Sequence, residues 1–509
     1  MNDLIANKNT YYVSTNGNSE GGLSEKNPMD YETLKSMTFK SGDKILFKRG
    51  DIFYGSFELW HVIVDNSITT LSAYGDTKKG RPILSAYKIV NKKESWEKES
   101  DNIYKIDLTN ATKYNGVKDI TPDSTKVGFI EIKNKTKYYN LKANLLELTQ
   151  PYDFCSDDRY LFVRTNGATP FEELGELKLA SKIKILVIDS NVKIENLHLL
   201  GTGYHGIRGK KINENVEIVG NVIENIGGSF LEENERYGNG INFFETEVKN
   251  VKIHKNIIRN VYDVAFTIQG NQGCGTNVTL TKNIFCLNSQ DSEIWETHAA
   301  TGVYNYFFED NISFMQGRGW GYLARKDKYC VSHILFWGYN FDDNVTQKTD
   351  IYFRHNYVYN PRRIYYITTQ KNTDILFQKE NCIKSDFNHY YMNNDSFVYN
   401  NIYDFPSRND FILDYNKDKN SEFIFLDKID PKLVDKIENS LDYNELRKIF
   451  FNEEEKEDKN KKSNSHVILI IIIVILLIGM AFGGILIYGY IRKAKHENIE
   501  DKVSNFPLI

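Results

Sequence analysis

A chain of 509 residues exceeds the usual single globular domain, so it is either divided or a repeat array that grows by adding units. Its net charge of −4, with 26% charged residues, lacks the basic footprint of nucleic-acid binding, and that class is excluded. Cys155, Cys274, Cys286, Cys330 and Cys382 lie far apart with no CxxC pair, which excludes a zinc-finger site and a dense disulfide framework and leaves them as small buried hydrophobes.

The first twelve residues contain only Leu4-Ile5-Ala6 as an apolar run, too short for a secretory leader, so none is expected there. Residues 30–37 predict a short helix that caps the first coil of a sheet array and hides its open edge. Strands are expected over 44–48, 62–72 and 83–90. Residues 91–180 repeat less regularly and read as early coils carrying an insertion, with strands at 103–108, 127–132, 136–141 and 160–163. Asp153, Asp157 and Asp158 cluster around Cys155; such oxygens make calcium the one metal to consider, against the plainer reading of a solvated acidic turn.

From residue 184 one pattern returns. Val251-Lys252-Ile253-His254-Lys255-Asn256-Ile257-Ile258 alternates apolar and polar residues, as a half-buried strand does, and then reaches an Asn at a sharp turn. Asn tolerates the left-handed conformation and can bond neighbouring backbone. The pattern recurs around Asn221 and Asn283, and more weakly around Asn196, Asn311, Asn356, Asn381 and Asn401. Most intervals are roughly 20 to 30 residues, the period of a stacked coil, so Asn should stack on Asn.

Asn-turned strand repeats of this kind resemble the right-handed parallel β-helix of the pectate-lyase-like superfamily. The opening Tyr11-Tyr12-Val13-Ser14-Thr15-Asn16-Gly17 is similar to that group's entry, as is Gly42-Asp43-Lys44-Ile45-Leu46-Phe47-Lys48-Arg49-Gly50-Asp51. So is Tyr74-Gly75 followed by Gly80-Arg81-Pro82-Ile83-Leu84, and the likeness covers roughly residues 10 to 425. It implies an all-β solenoid and leaves the chemistry open, since the superfamily holds lyases, hydrolases, epimerases and non-enzymatic surface proteins.

A second ladder follows each Asn turn. Taking Ile207, Ile241, Phe266, Ile294 and Trp320 as equivalent, alternation points Arg208, Asn242, Thr267, Gln269, Glu293 and Trp295 outward in a row. Arg208, Asn242, Gln269, Glu293, Trp295 and Trp320 are therefore the expected substrate-binding residues. The resemblance implies that this sheet is the one used on polysaccharides. Two long insertions, residues 227–240 with Glu232, Glu233, Glu235 and Arg236, and residues 317–349 with Arg318, Arg325, Lys326, His333 and Trp337, would wall a groove.

Two chemistries suit that groove. A lyase acting on a uronic-acid polymer needs a base and a cation, roles open to Arg318, Arg325, His298 and His333. A hydrolase needs two facing carboxylates, drawn from Glu245, Glu293 and Glu296. The polygalacturonase-like order of motifs is absent: Asn372-Thr373-Asp374 and Asp342-Asp343 fall in the wrong order, and Gly203-Tyr204-His205-Gly206 is only a near miss to Gly-His-Gly. No catalytic residue is carried over. Each candidate has a bland alternative in a solvated face or a surface ion cluster.

Sequons occur at Asn110, Asn134, Asn277, Asn311, Asn344 and Asn394; Asn311 is also a ladder position, where a glycan would not fit. Residues 431–437 and 443–449 space their apolar side chains as amphipathic helices, giving a helical flank over 426–452. A charged linker, 453–466, leads to an uncharged stretch from Val467 to Ile491, expected to span a membrane as one helix, with a short basic tail over 492–509. Arg492, Lys493 and Lys495 place that tail in the cytoplasm and the β-helix outside the cell.

The sequence thus predicts a right-handed parallel β-helix over 1–425, regular from about 184 to 405, in a membrane-anchored monomer that binds a polysaccharide. In the catalytic case it degrades that polymer as a lyase or a hydrolase, through Arg325, His333, Arg318, His298 or Glu245. The alternative is a non-catalytic surface adhesin or stalk. A stalk predicts a featureless flank where an enzyme predicts a cleft.

Overall fold

The computed structural model describes residues 8–133, 137–210, 212–232, 235–270, 275–296, 303–338, 350–367, 382–393, 398–399, 404–405 and 417–451. Residues 1–443 and 444–509 are two compact units; the described part of the second lies in the helix Tyr443–Phe451. All the described strands belong to the first.

That first unit is mostly β. Three ten-stranded sheets dominate it, and the chain visits them in the same order on each pass. The pass through the middle runs Glu247–His254, Ile257–Val261, Val264–Gly270; the next runs Gly275–Thr281, Ile284–Cys286, Gln290–Glu296. Each strand pairs in parallel with its counterpart one pass away, for example Val251 with Val278, Ile257 with Ile284 and Ile268 with Ile294. Alternation buries one face: Val216, Ile218, Val251, Ile253, Val278 and Leu280 are fully buried in a single core fed by all three sheets. Each such side chain contributes roughly 1.5–3 kcal/mol.

The Asn residues do stack. Asn256 accepts from the backbone and side-chain N–H groups of Asn221, at 2.9 and 3.1 Å, and its own Nδ2 donates to Ile218 O and to Asn283 Oδ1. The ladder continues through Asn311, Asn356 and Asn388. Two details differ from expectation. On the described rungs the left-handed residue is the one before the Asn (Lys255, Lys282, Asp310, His355, Phe387), which frees the Asn to bond inward; Asn196 is itself left-handed, and Leu197 N, not Asn196, bonds Asn221. Asn388 takes the next rung, while Asn381 and Asn401 lie outside the described residues. A second, more exposed ladder joins Asn191, Asn215, Asn250, Asn277 and Asn305, all left-handed.

Asn283→Ala should therefore cost about 2–4 kcal/mol, because it strands the buried amide of Asn256 and the carbonyl of Ile253. Asn277→Ala, on the exposed ladder, should cost well under half of that. Urea unfolding of the two variants side by side measures the contrast.

The sheet strands bear two further corrections. Phe266 pairs with Ser292, so Ile294 sits two residues further along than expected, opposite Ile268. Trp320 is not on a strand: it opens the helix Trp320–Ala324, and the strand of that pass is Ile334–Gly338. Residues 87–181 are not coils. They form two antiparallel sheets, Tyr87–Val90 with Asn115–Gly116, Leu177–Ser181, Val127–Glu131 and Lys137–Tyr138, and Glu97–Ser100 with Ile103–Asp107, Tyr160–Arg164 and Phe154–Ser156. They pack a core of their own around Trp96, Ile106, Phe154 and Leu161.

The expected cap is present as Tyr31–Lys35, with Asp30 accepting from Thr33 N. Among the described residues no helix is long and apolar enough to cross a membrane, which overturns the single-pass membrane placement; the stretch 467–491 lies outside those residues. Nor does any group of His, Cys, Asp or Glu among the described residues suit a metal. Asp153 and Asp157 accept from backbone N–H groups of Thr149, Gln150, Arg159 and Tyr160, which accounts for the acidic turn without calcium.

Candidate active site

The third sheet supplies a floor. Its register lines up Arg208, Asn242, Thr267, Glu293, Leu335 and Tyr366 as one outward row, with Phe244, Gln269, Trp295 and Trp337 as the next. Among the described residues, the large insertions enter at one corner of the stack, between the second sheet and the third. The antiparallel module separates Ile83–Ser85 from Leu186–Ile188. The hairpin Ser229–Glu232 and Glu235–Tyr237 follows Val222–Ile226, and the helix Trp320–Ala324 follows Ile312–Phe314. Insertions that share a corner must stack into a wall. They enclose a cleft of about 810 Å³ over the floor.

One arginine ties the walls together. Arg236 donates to Gly228 O in its own hairpin, to Gly128 O and Tyr139 O in the module, and to Ala324 O at the helix. These partners are carbonyls and carry no full charge, and burial pushes the guanidinium down to about 10. Beneath it Trp320 packs on Phe129 and Tyr262, ring centroids 4.8 and 5.6 Å away, and its Nε1–H donates to Asn260 O at 3.0 Å. Trp320 is therefore a pier, not a binding platform. The aromatic surface that does face the cleft is Trp295 beside Trp337, with Trp337 stacked on Tyr366 at 5.7 Å.

The titratable groups on the floor are unusual. Glu293 is 6% exposed, and accepts from Thr267 Oγ1 at 2.6 Å and from Gln269 Nε2. Burial, reinforced by the charge of Asp263, pushes its carboxyl up to about 7. Asp263 immediately precedes the neighbouring strand and receives Arg325 Nη1 at 2.8 Å. Burial raises it, against the pull of that guanidinium. Arg325 also grips Asp327, by Nε at 3.2 Å and Nη2 at 2.9 Å, and burial of Asp327 is outweighed by that pairing, so its carboxyl stays below the usual range. Cys330 donates to Asp327 O; burial pushes its thiol up to about 12, so it is no nucleophile.

Of the expected residues, Arg208, Asn242, Gln269, Glu293, Trp295 and Arg325 meet in this cleft. Arg318 does not line it and instead donates to Asn360 O and Asn393 Oδ1. His333 is buried, its Nδ1 2.8 Å from Asp291 Oδ2, and does not line the cleft. Glu245 takes a left-handed turn beyond the lining residues. His298 and the side chain of Glu296 lie outside the described residues. Asp263, His205, Tyr204 and Tyr237 are new. The signal for Asp263 was its parity with Thr267 and Gln269, interrupted by Ala265.

No family model matches the chain, and no curated protein matches it. Solved structures similar to it include the GH136 lacto-N-biosidase from Eubacterium ramulus, 10% identical, covering 82% of this chain and 68% of that one at a TM-score of 0.36. XylC in complex with xylose is 12% identical over 83% and 87%, at 0.36. A further structure, named a glycoside hydrolase, is 8% identical over 82% and 96%, at 0.38. No chemistry is transferred from likenesses this distant.

Proposed function

We propose that this chain is a right-handed parallel β-helix that hydrolyses a glycosidic bond in a carbohydrate polymer, with Glu293 as general acid and Asp263 as the facing carboxylate. The observation that carries the reading is one cleft floor holding a buried carboxyl, Glu293, hydrogen-bonded by Thr267 and Gln269, and a second carboxylate, Asp263, against Arg325; burial raises the first toward about 7. Two carboxyl groups in different environments are what acid-assisted glycoside hydrolysis requires. Trp295 and Trp337 offer apolar faces of the kind sugar rings stack on.

Asp263 lies four residues before Thr267, the neighbour of Glu293, so their α-carbons are about 13 Å apart along the strands. Carboxyl groups about 6.5–9.5 Å apart would admit a water between them and invert, and groups about 5–5.5 Å apart would retain through a covalent intermediate. Arg325 is engaged with Asp263 and Asp327, His333 with Asp291, and Arg318 with Asn360 and Asn393, which favours the hydrolase over the lyase; His298, the fourth lyase candidate, lies outside the described residues. A stalk has no use for such a cleft.

Incubation of the whole protein with a panel of neutral and acidic polysaccharides is expected to release reducing ends without absorbance from unsaturated sugars, and proton spectra of the first product should show whether the anomer of the bond cleaved is inverted or retained. Unsaturated products would mean a lyase. A retained anomer would mean a covalent intermediate and an inverted one a water between the two groups, and binding without any cleavage would restore the adhesin.

A further inference from the structure

His205 sits at the edge of the cleft floor, 4% exposed, against Tyr204 at 4.2 Å with the rings tilted by 31°, and met edge-on by Tyr237 at 5.5 Å. Its Nδ1 receives the backbone N–H of Asn239 at 3.0 Å. A backbone amide can only donate, so Nδ1 carries no proton and, in the neutral ring, Nε2 does. Nothing among the described residues accepts from that Nε2–H.

The groups facing the ring are Tyr204, Tyr237, Arg208, Lys182 and Lys184, with no carboxylate among them. Burial first, and then the three cations, hold the imidazole well below its usual range. Two of the three cations are already engaged, since Arg208 donates to Asn242 Oδ1 and to Phe244 O and Lys182 pairs with Asp123 at 3.3 Å, and Lys184 lies over the Tyr204 ring at 5.5 Å.

We infer that His205 is a fixed neutral donor whose Nε2–H donates to an uncharged oxygen of a sugar, making this end of the cleft a subsite for a neutral sugar unit and not for a uronic acid. The inference rests on the hydrolase reading above, and it assigns a binding residue, not a catalytic one.

Two side chains separate its halves. In His205→Asn the amide oxygen can replace Nδ1 opposite Asn239 N–H while the donor into the cleft is lost; in His205→Gln an amide N–H reaches toward the Nε2 position while the bond to Asn239 is lost. His205→Asn is expected to keep the wild-type Tm and to raise KM on the preferred neutral polysaccharide about tenfold, with the effect on KM larger than on kcat. His205→Gln should bring KM back to within about threefold at a lower Tm. The ring nitrogens of the 15N-histidine-labelled full chain should show the Nε2–H form throughout pH 5 to 9. A ring that protonates in that window, or an unchanged KM in His205→Asn while Glu293→Gln abolishes cleavage, overturns the subsite and leaves the hydrolase standing. So does a preference for uronic-acid polymers. Wild-type silence across the whole panel overturns the hydrolase, and the sugar site with it.

Discussion

Glu293→Gln is expected to lower kcat by between about 10² and 10⁴, the usual worth of a positioned general acid, while the fold stays intact. The amide keeps the shape and can still accept from Thr267, but it has no proton to give to a leaving oxygen. In the wild type, activity should fall as pH rises through about 7, where Glu293 loses that proton. Stability carries the same sign. The folded pKa lies above the unfolded value of about 4.3, so the contribution of the protonated group is fully present below that value and is lost as pH climbs toward 7. The loss amounts to about 3 kcal/mol, and the variant, which cannot ionise, should escape it. Urea midpoints from pH 4 to 9 test this: wild type should decline where Glu293→Gln stays flat, and parallel curves would remove Glu293 from the role of acid.

Arg325→Met should cost roughly 3–5 kcal/mol, because it leaves Asp263 in a covered site without its cation; Asp327, whose side chain is 45% exposed, adds less. Methionine fills much of the same space, so the loss reports charge and hydrogen bonds more than volume. Without the guanidinium, Asp263 and Asp327 should both hold protons to higher pH. The deficit against wild type is therefore greatest above neutrality and shrinks as pH falls and the two groups become neutral. Denaturation at pH 5 and pH 8 reads it directly, and a deficit independent of pH would mean that packing, not charge, is what Arg325 supplies. Cleavage should fall with it, since Asp263 loses the group that orients it.

The stack was legible in the sequence because a period of two and one residue type at one turn express it locally: Val251 and Ile253 face in, and Asn256 makes bonds no other side chain makes as well. The floor survived an error in alignment for a physical reason. Ile294 was placed two residues out of register, and a shift of two keeps every side chain on its face, so Glu293 and Trp295 stayed outward. The walls were less readable. Gly319-Trp320-Gly321-Tyr322 alternates like a strand, but it follows a left-handed corner at Met315 and coils into a helix that buries the indole under the cleft. Arg236 was seen as one charge among several in an insertion; that it gathers carbonyls from four segments depends on contacts about 90 residues or more away in sequence, which no local pattern encodes. The antiparallel module had no repeat to betray it.

That module leaves the stack after Ser85 and rejoins it at Leu186, yet the passes before and after the departure are adjacent in their sheets: Leu84 pairs with Leu199, and Phe57 with Leu186. The excursion occupies no rung. A lineage could lengthen, shorten or exchange it while every sheet bond beneath kept its partner. On the hydrolase reading, the chemistry of the floor and the admission set by the walls could then diversify independently: a short link in place of the module would leave a trough open on one side, and the full module would close it, so length specificity would be a detachable trait.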